Sequence, residues 1–267
     1  MEKVIIRLAI IVALFFATYT ALKQINWVTL FNIEKITSST EEKLGELFWD
    51  VINLQEKEIT DINIVIPIDS LISKICKANN IDVEQIKLHI VDKNEINAFA
   101  LPGKHLVLYS DLIMSTENEE ELCGVISHEI AHMEKDHVTK KLVKEIGLSV
   151  LISSTVGNSS PEILSNAIRL LSSTAYDRNM EKEADIDAVD YMLNANINPL
   201  PFAEFLRRSY GDDTIIDEQL SWVSTHPESA VRADYIIEYS KGKTISSAPI
   251  LYKDTWDQLK MDLEDFQ

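Results

Sequence analysis

VISHEIAHMEKDH, residues 125–137, holds three of the chain's six histidines, and how it folds decides how the rest of the sequence is read. Just upstream, Thr116-Glu117-Asn118-Glu119 has the form of a capping box, a Thr followed three residues later by Glu before an apolar-periodic run, which predicts a helix from about residue 117. At 3.6 residues per turn, that helix carries His128 and His132 one turn apart on one face, as two imidazoles must be to share one ion. Glu129 projects about 100° around from His128, near enough to reach a water in such a site without taking a ligand position, and suits a general base. The five-residue pattern alone fits two ordinary polar histidines on a helix surface equally well. His137 would fall near the opposite face of a continuous helix and reads as a helix-terminal residue favoured by the dipole. A metzincin needs glycine at 135 and histidine at 138; the chain has Lys135 and Val138, so that class is excluded.

A third ligand should then be a carboxylate elsewhere, as in the two-histidine, one-glutamate sites of catalytic zinc. NMEKEADIDAVDYMLNA, residues 179–195, predicts a helix with an apolar stripe of Met180, Ala184, Ala188, Tyr191, Met192 and Ala195. Glu183, Asp187, Asp190 and Asn194 read as its solvated side. Glu181 and Asp185 are spaced i, i+4 and lie beside the stripe. Two readings stay open for them: a salt-bridged helix edge, or Glu181 on a metal and Asp185 hydrogen-bonded to the free nitrogen of a ligating histidine.

The whole chain narrows the classes. Its 267 residues suit one well-buried globular unit. With 43 acidic against 25 basic residues and a net charge of -18, the surface would repel a phosphate backbone, which excludes nucleic acid as a partner. Only Cys76 and Cys123 are present, which rules out a disulfide-dense scaffold and a four-thiolate zinc site; each reads as a small buried residue, with one bridge between them left open. At the N-terminus, Lys3 and Arg7 precede an apolar run from Leu8 to Leu22, the pattern of an export signal. Tyr19 stands where a cleavage site wants a small residue, and no cysteine follows to accept lipid. Residues 1–22 are therefore expected to be a signal-anchor, or a signal peptide, that meets the membrane and leaves the body outside the cytoplasm. Residues 23–40 are expected to form a tether, with TSST supplying helix caps.

EEKLGELFWDVINLQEKE predicts a helix presenting Leu44, Leu47, Phe48, Val51 and Leu54, and SLISKICKA predicts another. IKLHIVDKNEINAFALPGKHLVLY, residues 86–109, is rich in β-branched and aromatic residues and broken by turn signals, so it reads as strands. The apolar IGLSVLISSTV at 146–156 is too short to span a bilayer, and PEILSNAIRLLSS carries Asn166 and Arg169; together they predict a helical hairpin. The fold class expected is α+β, mostly helical, with a small sheet ahead of the histidine helix.

Four stretches together resemble peptidase family M48, gluzincin-type zinc metalloendopeptidases: NAFALPGKHLVLYSDLI, EEELCGVISHEIAHMEKDH, DRNMEKEADIDAVDYMLNANINPL and STHPESAVR. Co-occurrence in this order covers roughly residues 86 to 240 and implies a zincin-like metalloprotease domain over 41–267. Position by position, the resemblance implies one Zn2+ per chain on His128, His132 and Glu181, with Glu129 as base and Asp185 beside a ligand. It also implies an active-site role for His226, as oxyanion stabiliser or removable lid ligand; read alone, His226 is a loop histidine. Arg232 matches a family arginine but fits a structural ion pair as well. The extra spans of some members and the repeat domain of others are not expected here. An extended peptide is expected to pair with an exposed edge strand around Asn97 to Leu101. The rival reading is a metal-containing, chaperone-like or latent binding protein that cleaves little.

Overall fold

The computed structural model describes residues 38–155, 160–211, 221–227, 229–243 and 249–266, together with 7, 10, 12 and 14–16. The chain divides into two compact units, Met1–Thr37 and Ser38–Gln267. Most of the expected signal or anchor, and most of the expected tether, lie outside the described residues. Among the described residues no helix is long and apolar enough to cross a membrane.

The larger unit opens with helix α1, Ser38–Asn53, so Ser38, Ser39 and Thr40 are already helical where a tether was expected. Its buried face is Leu44, Gly45, Phe48, Trp49 and Ile52, which keeps Leu44 and Phe48 of the expected stripe but is rotated from the rest, and Leu54 is 87% exposed. Gly45 explains the rotation. A Cβ there would lie 2.1 Å from Pro102 O and 2.7 Å from the His105 ring, so α1 meets the sheet through its own backbone. Strand β1, Lys57–Glu58, follows, then α2, Ile62–Ala78, whose N-cap Asp61 accepts from Asn63 N–H. α2 starts well before SLISKICKA. It tolerates Pro67 and buries Ile64, Ile68, Leu71, Ile72, Ile75 and Cys76.

Strands β2 (Lys87–Asp92), β3 (Ala98–Leu101) and β4 (His105–Tyr109) complete a sheet in the order β1-β2-β4-β3. β2 runs parallel to β4 with Lys87 opposite His105; β3 is antiparallel to β4 with Leu101 opposite His105, closed through Gly103 at φ 69°. Ten helices in all follow the sheet among the described residues. The first are α3 (Ser110–Ser115), α4 (Glu119–Glu134), α5 (His137–Glu145), α6 (Leu148–Thr155) and α7 (Pro161–Ser173). The rest are α8 (Arg178–Asn194), α9 (Leu200–Gly211), α10 (Ser221–Thr225), α11 (Ser229–Ser240) and α12 (Lys253–Phe266). This is the α+β, mostly helical architecture read from the sequence.

α4 is the central element, buried along nearly its whole length between β3, α2, α8 and α9. Gly124 allows α9 to close on it: a Cβ would sit 2.3 Å from Phe202. One expectation is corrected here. β3 is an edge strand of the sheet, yet all four of its residues are buried, because α4 and α7 pack on it and Asn97 Nδ2 donates to Ser172 O at 3.0 Å. Cys76 and Cys123 are both buried free thiols.

Candidate metal centre

The histidine helix begins two residues later than its capping signal suggested. Asn118 is the N-cap, accepting from Glu121 N–H at 2.9 Å, while the Glu121 carboxylate reaches back to Glu117 N–H at 2.8 Å. Thr116 instead donates its hydroxyl to Ile113 O. The helix also ends sooner than a continuous reading assumed. α4 stops at Glu134, Asp136 takes a left-handed φ of 56°, and His137 opens α5. His137 is thus the first residue of a new helix, 1% exposed, with Nδ1 3.1 Å from His132 Nδ1. The break returns its ring to the back of His132, which a five-residue step along one helix, about 140° round, would not do.

α8 is capped by Asp177, whose side chain accepts from Asn179 N–H, and delivers Glu181 and Asp185 to the same place. His128 Nε2 lies 3.0 Å from His132 Nε2 and 3.1 Å from His226 Nδ1. Glu181 Oε1 is 2.8 Å from His226 Nδ1 and 3.4 Å from His132 Nε2. One donor atom from each of these four residues lies within 4.8 Å of the others, and none of the four residues is more than 3% exposed.

The donor chemistry fits a cation. His128 Nδ1 faces Asp185 Oδ1 at 2.8 Å, so that nitrogen carries the ring's proton and Nε2 presents a lone pair. Nitrogens of three rings and a carboxylate oxygen converge on one buried point, a donor set suited to a cation. Tetrahedral bonds of ~2.05 Å would set neighbouring donors ~3.3 Å apart, close to the spacing found. The groups of the cluster also shift one another's titration. Burial would raise Glu129, but the charges of His226, His128 and His132 outweigh it and hold it at about 2. Glu181 is likewise driven well below its ordinary value against burial, by His226 and Arg232. His132 is pushed down to about 3, chiefly by burial, and His226 is lifted against burial to about 9 by Glu181 and Glu129.

Arg232 binds Asp185 with two hydrogen bonds of 2.7 Å, from Nε and Nη2. Its Nη1 reaches His226 O at 2.8 Å and Glu181 Oε2 at 2.9 Å. Tyr235 OH also donates to Asp185. Asn97 is not brought to the donors; it ties β3 to α7.

Sequence reasoning missed Trp222. Its indole N–H donates to Glu129 Oε1 at 3.1 Å, and its backbone N–H to Ile96 O at 3.0 Å. The signal was present: SWVSTH places Trp222 and His226 four residues apart, on one face of a helical turn.

The model of peptidase family M48 matches residues 67–239. A beta-barrel assembly-enhancing protease of Yersinia pestis is 27% identical over 52% of this chain and 31% of its own length. Metalloprotease LoiP of Escherichia coli is 29% identical over 59% of this chain and 64% of its own. Mitochondrial metalloendopeptidase OMA1 of Schizosaccharomyces pombe is 26% identical over 65% of this chain and 52% of its own. The match therefore spans between about a third and two thirds of each of these relatives. It runs from within α2 through α11 and takes in the whole donor cluster, so this chain belongs to peptidase family M48.

Proposed function

We propose that the protein is a zinc-dependent metalloendopeptidase in which His128, His132 and Glu181 hold the ion and Glu129 is the general base. The observation that carries this is the cluster of buried imidazole and carboxylate groups, with His128 committed by Asp185 to offering Nε2. When bound, zinc polarises the scissile carbonyl and lowers the pKa of the attacking water towards neutrality. Glu129, ionised and one turn from His132, takes the proton from that water and hands it to the leaving amine nitrogen. Asp185 and Arg232 fix the ring of His128 and the backbone of His226.

His226 supplies a fourth donor, whereas a working zinc site keeps one position open. Together with the complete burial of Glu129, this supports a closed, latent form in which His226 is a removable ligand. His226→Ala is expected to retain zinc and raise the activity of the enzyme as isolated; retained zinc with lowered activity would leave oxyanion stabilisation as its role.

The substrate class we favour is unfolded or misassembled protein of the cell envelope, bound in extended form, with the N-terminal segment directing the domain out of the cytoplasm to the membrane. Support comes from the export-like N-terminus and from the name of one relative, a beta-barrel assembly-enhancing protease. The test is zinc content and cleavage of a reduced, unfolded protein by wild type and by Glu129→Gln. Equal cleavage by both, at equal zinc, removes the reading.

A further inference from the structure

One polar atom beside the donor cluster has no part in the reading above, the phenol oxygen of Tyr176. Tyr176 directly precedes Asp177, the cap of the helix that carries Glu181, and its backbone N–H donates to Thr225 O at 3.2 Å, next to His226. Its ring lies 4.1 Å from that of His132 and stacks on that of His226 at 5.5 Å and 18°. Lys141, itself buried, places Nζ 3.9 Å from the ring centre and donates to Thr174 O at 2.5 Å.

Backbone, two imidazoles and an ammonium thus fix a ring that is 5% exposed. Its hydroxyl nevertheless has no hydrogen-bond partner among the described residues. A buried hydroxyl left unpaired is a standing cost, and packing alone would be met by phenylalanine. What the hydroxyl adds to phenylalanine is one O–H donor. A phenol at neutral pH is protonated and available as a donor. Hydrolysis of a peptide turns the carbonyl oxygen into an anion that needs donors already in place.

We propose that Tyr176 is a further catalytic residue, whose phenol O–H hydrogen-bonds the scissile carbonyl oxygen as that oxygen becomes anionic. The O–H bond is not broken; the proton stays on the phenol throughout. The inference rests on the peptidase reading.

Tyr176→Phe removes only the oxygen. Zinc content and melting temperature should match or exceed wild type, since the lost group had no partner. Turnover of an unfolded protein substrate should fall about 10²–10³-fold, the cost of one oxyanion donor. KM should stay within about threefold, because the bond forms only in the transition state. Affinity for a phosphinic peptide, whose tetrahedral anion mimics that state, should fall by about 10²-fold with kcat. If kcat and phosphinate affinity both stay within about threefold of wild type, Tyr176 is packing and the inference is wrong. A drop in kcat that follows a drop in zinc or melting temperature overturns it too. Glu129→Gln, assayed alongside, separates the two failures: if it cleaves as well as wild type, the peptidase reading falls, and this inference with it.

Discussion

Asp185→Asn separates the support of the metal centre from its donors. In the wild type, Asp185 Oδ1 accepts from Arg232 Nη2 at 2.7 Å and faces His128 Nδ1 at 2.8 Å. Oδ2 accepts from Arg232 Nε at 2.7 Å and from Tyr235 OH. Asparagine keeps one acceptor, turns the other into a donor that faces a donor, and removes the charge. Arg232, 2% exposed, is then left with Glu181 Oε2 at 2.9 Å as its one buried counter-charge. Removing one partner of a buried pair costs about 3–5 kcal/mol, and the surviving contact to Glu181 places the expected loss near the lower end. For a unit of this size that corresponds to a fall in Tm of roughly 6–12 °C. His128 also loses the group that fixes its tautomer, which should weaken zinc binding by about 10–100-fold. Urea denaturation with and without a chelator measures the first effect, and competition with a chromophoric chelator the second. A loss below about 1 kcal/mol, together with unchanged zinc affinity, would refute the argument that Asp185 holds both Arg232 and His128. A cycle with Arg232→Met should give a coupling above about 1 kcal/mol; simple additivity would point to separate roles.

Gly124→Ala should lower stability by about 1–3 kcal/mol, because its Cβ would meet the Phe202 ring 2.3 Å away on α9; trimming Phe202 to Leu in the same chain should recover part of the loss in a urea titration. A pH effect is expected away from the metal centre, where His89 Nε2 meets His105 Nδ1 at 2.9 Å beneath α1. Burial, and then the neighbouring His89, depresses His105 from 6.5 to about 4. The unfolded chain therefore takes up the proton first, so this contribution is complete above about pH 6.5 and is lost as pH falls towards 4, by at most about 3 kcal/mol. His105→Gln should flatten that arm of a plot of Tm against pH, and an arm of unchanged slope would assign the acid sensitivity elsewhere.

Local patterns were legible wherever one element carried them alone. The strands at 87–109 and the helices at 119–134 and 178–194 follow from β-branched composition, turn signals and helical period, and each emerged within two residues of its reading at the start. What local pattern could not give was contact between distant segments. α1 turned its face towards Trp49 and Ile52 because Gly45 meets Pro102, a partner far along the chain. β3 was expected to lie open, and is covered by a helix that begins some sixty residues later. His137 was misplaced for a subtler reason. Neither glycine nor proline marks the break, and Asp136 adopts the left-handed conformation that aspartate tolerates better than most residues.

The same division runs through the candidate site. His128 and His132 are paired by helix period, and so are Glu181 and Asp185, which is why spacing alone could nominate them. That the two pairs face one another depends on α8 packing against α4, and nothing within either helix encodes it except burial of carboxylates that should be in water. His226 sits on a short segment with no period of its own, held by Trp222 to Ile96 and Glu129 and by Arg232 to Asp185. The contacts to Glu129 and Asp185 join the His226 segment to the two helices that carry the other donors. Withdrawing His226 would therefore strain the base through Trp222 and the ligand support through Arg232 together. In the closed form proposed here, the segment from Ser221 to His226 would have to move as a unit before Glu129 could act on a substrate.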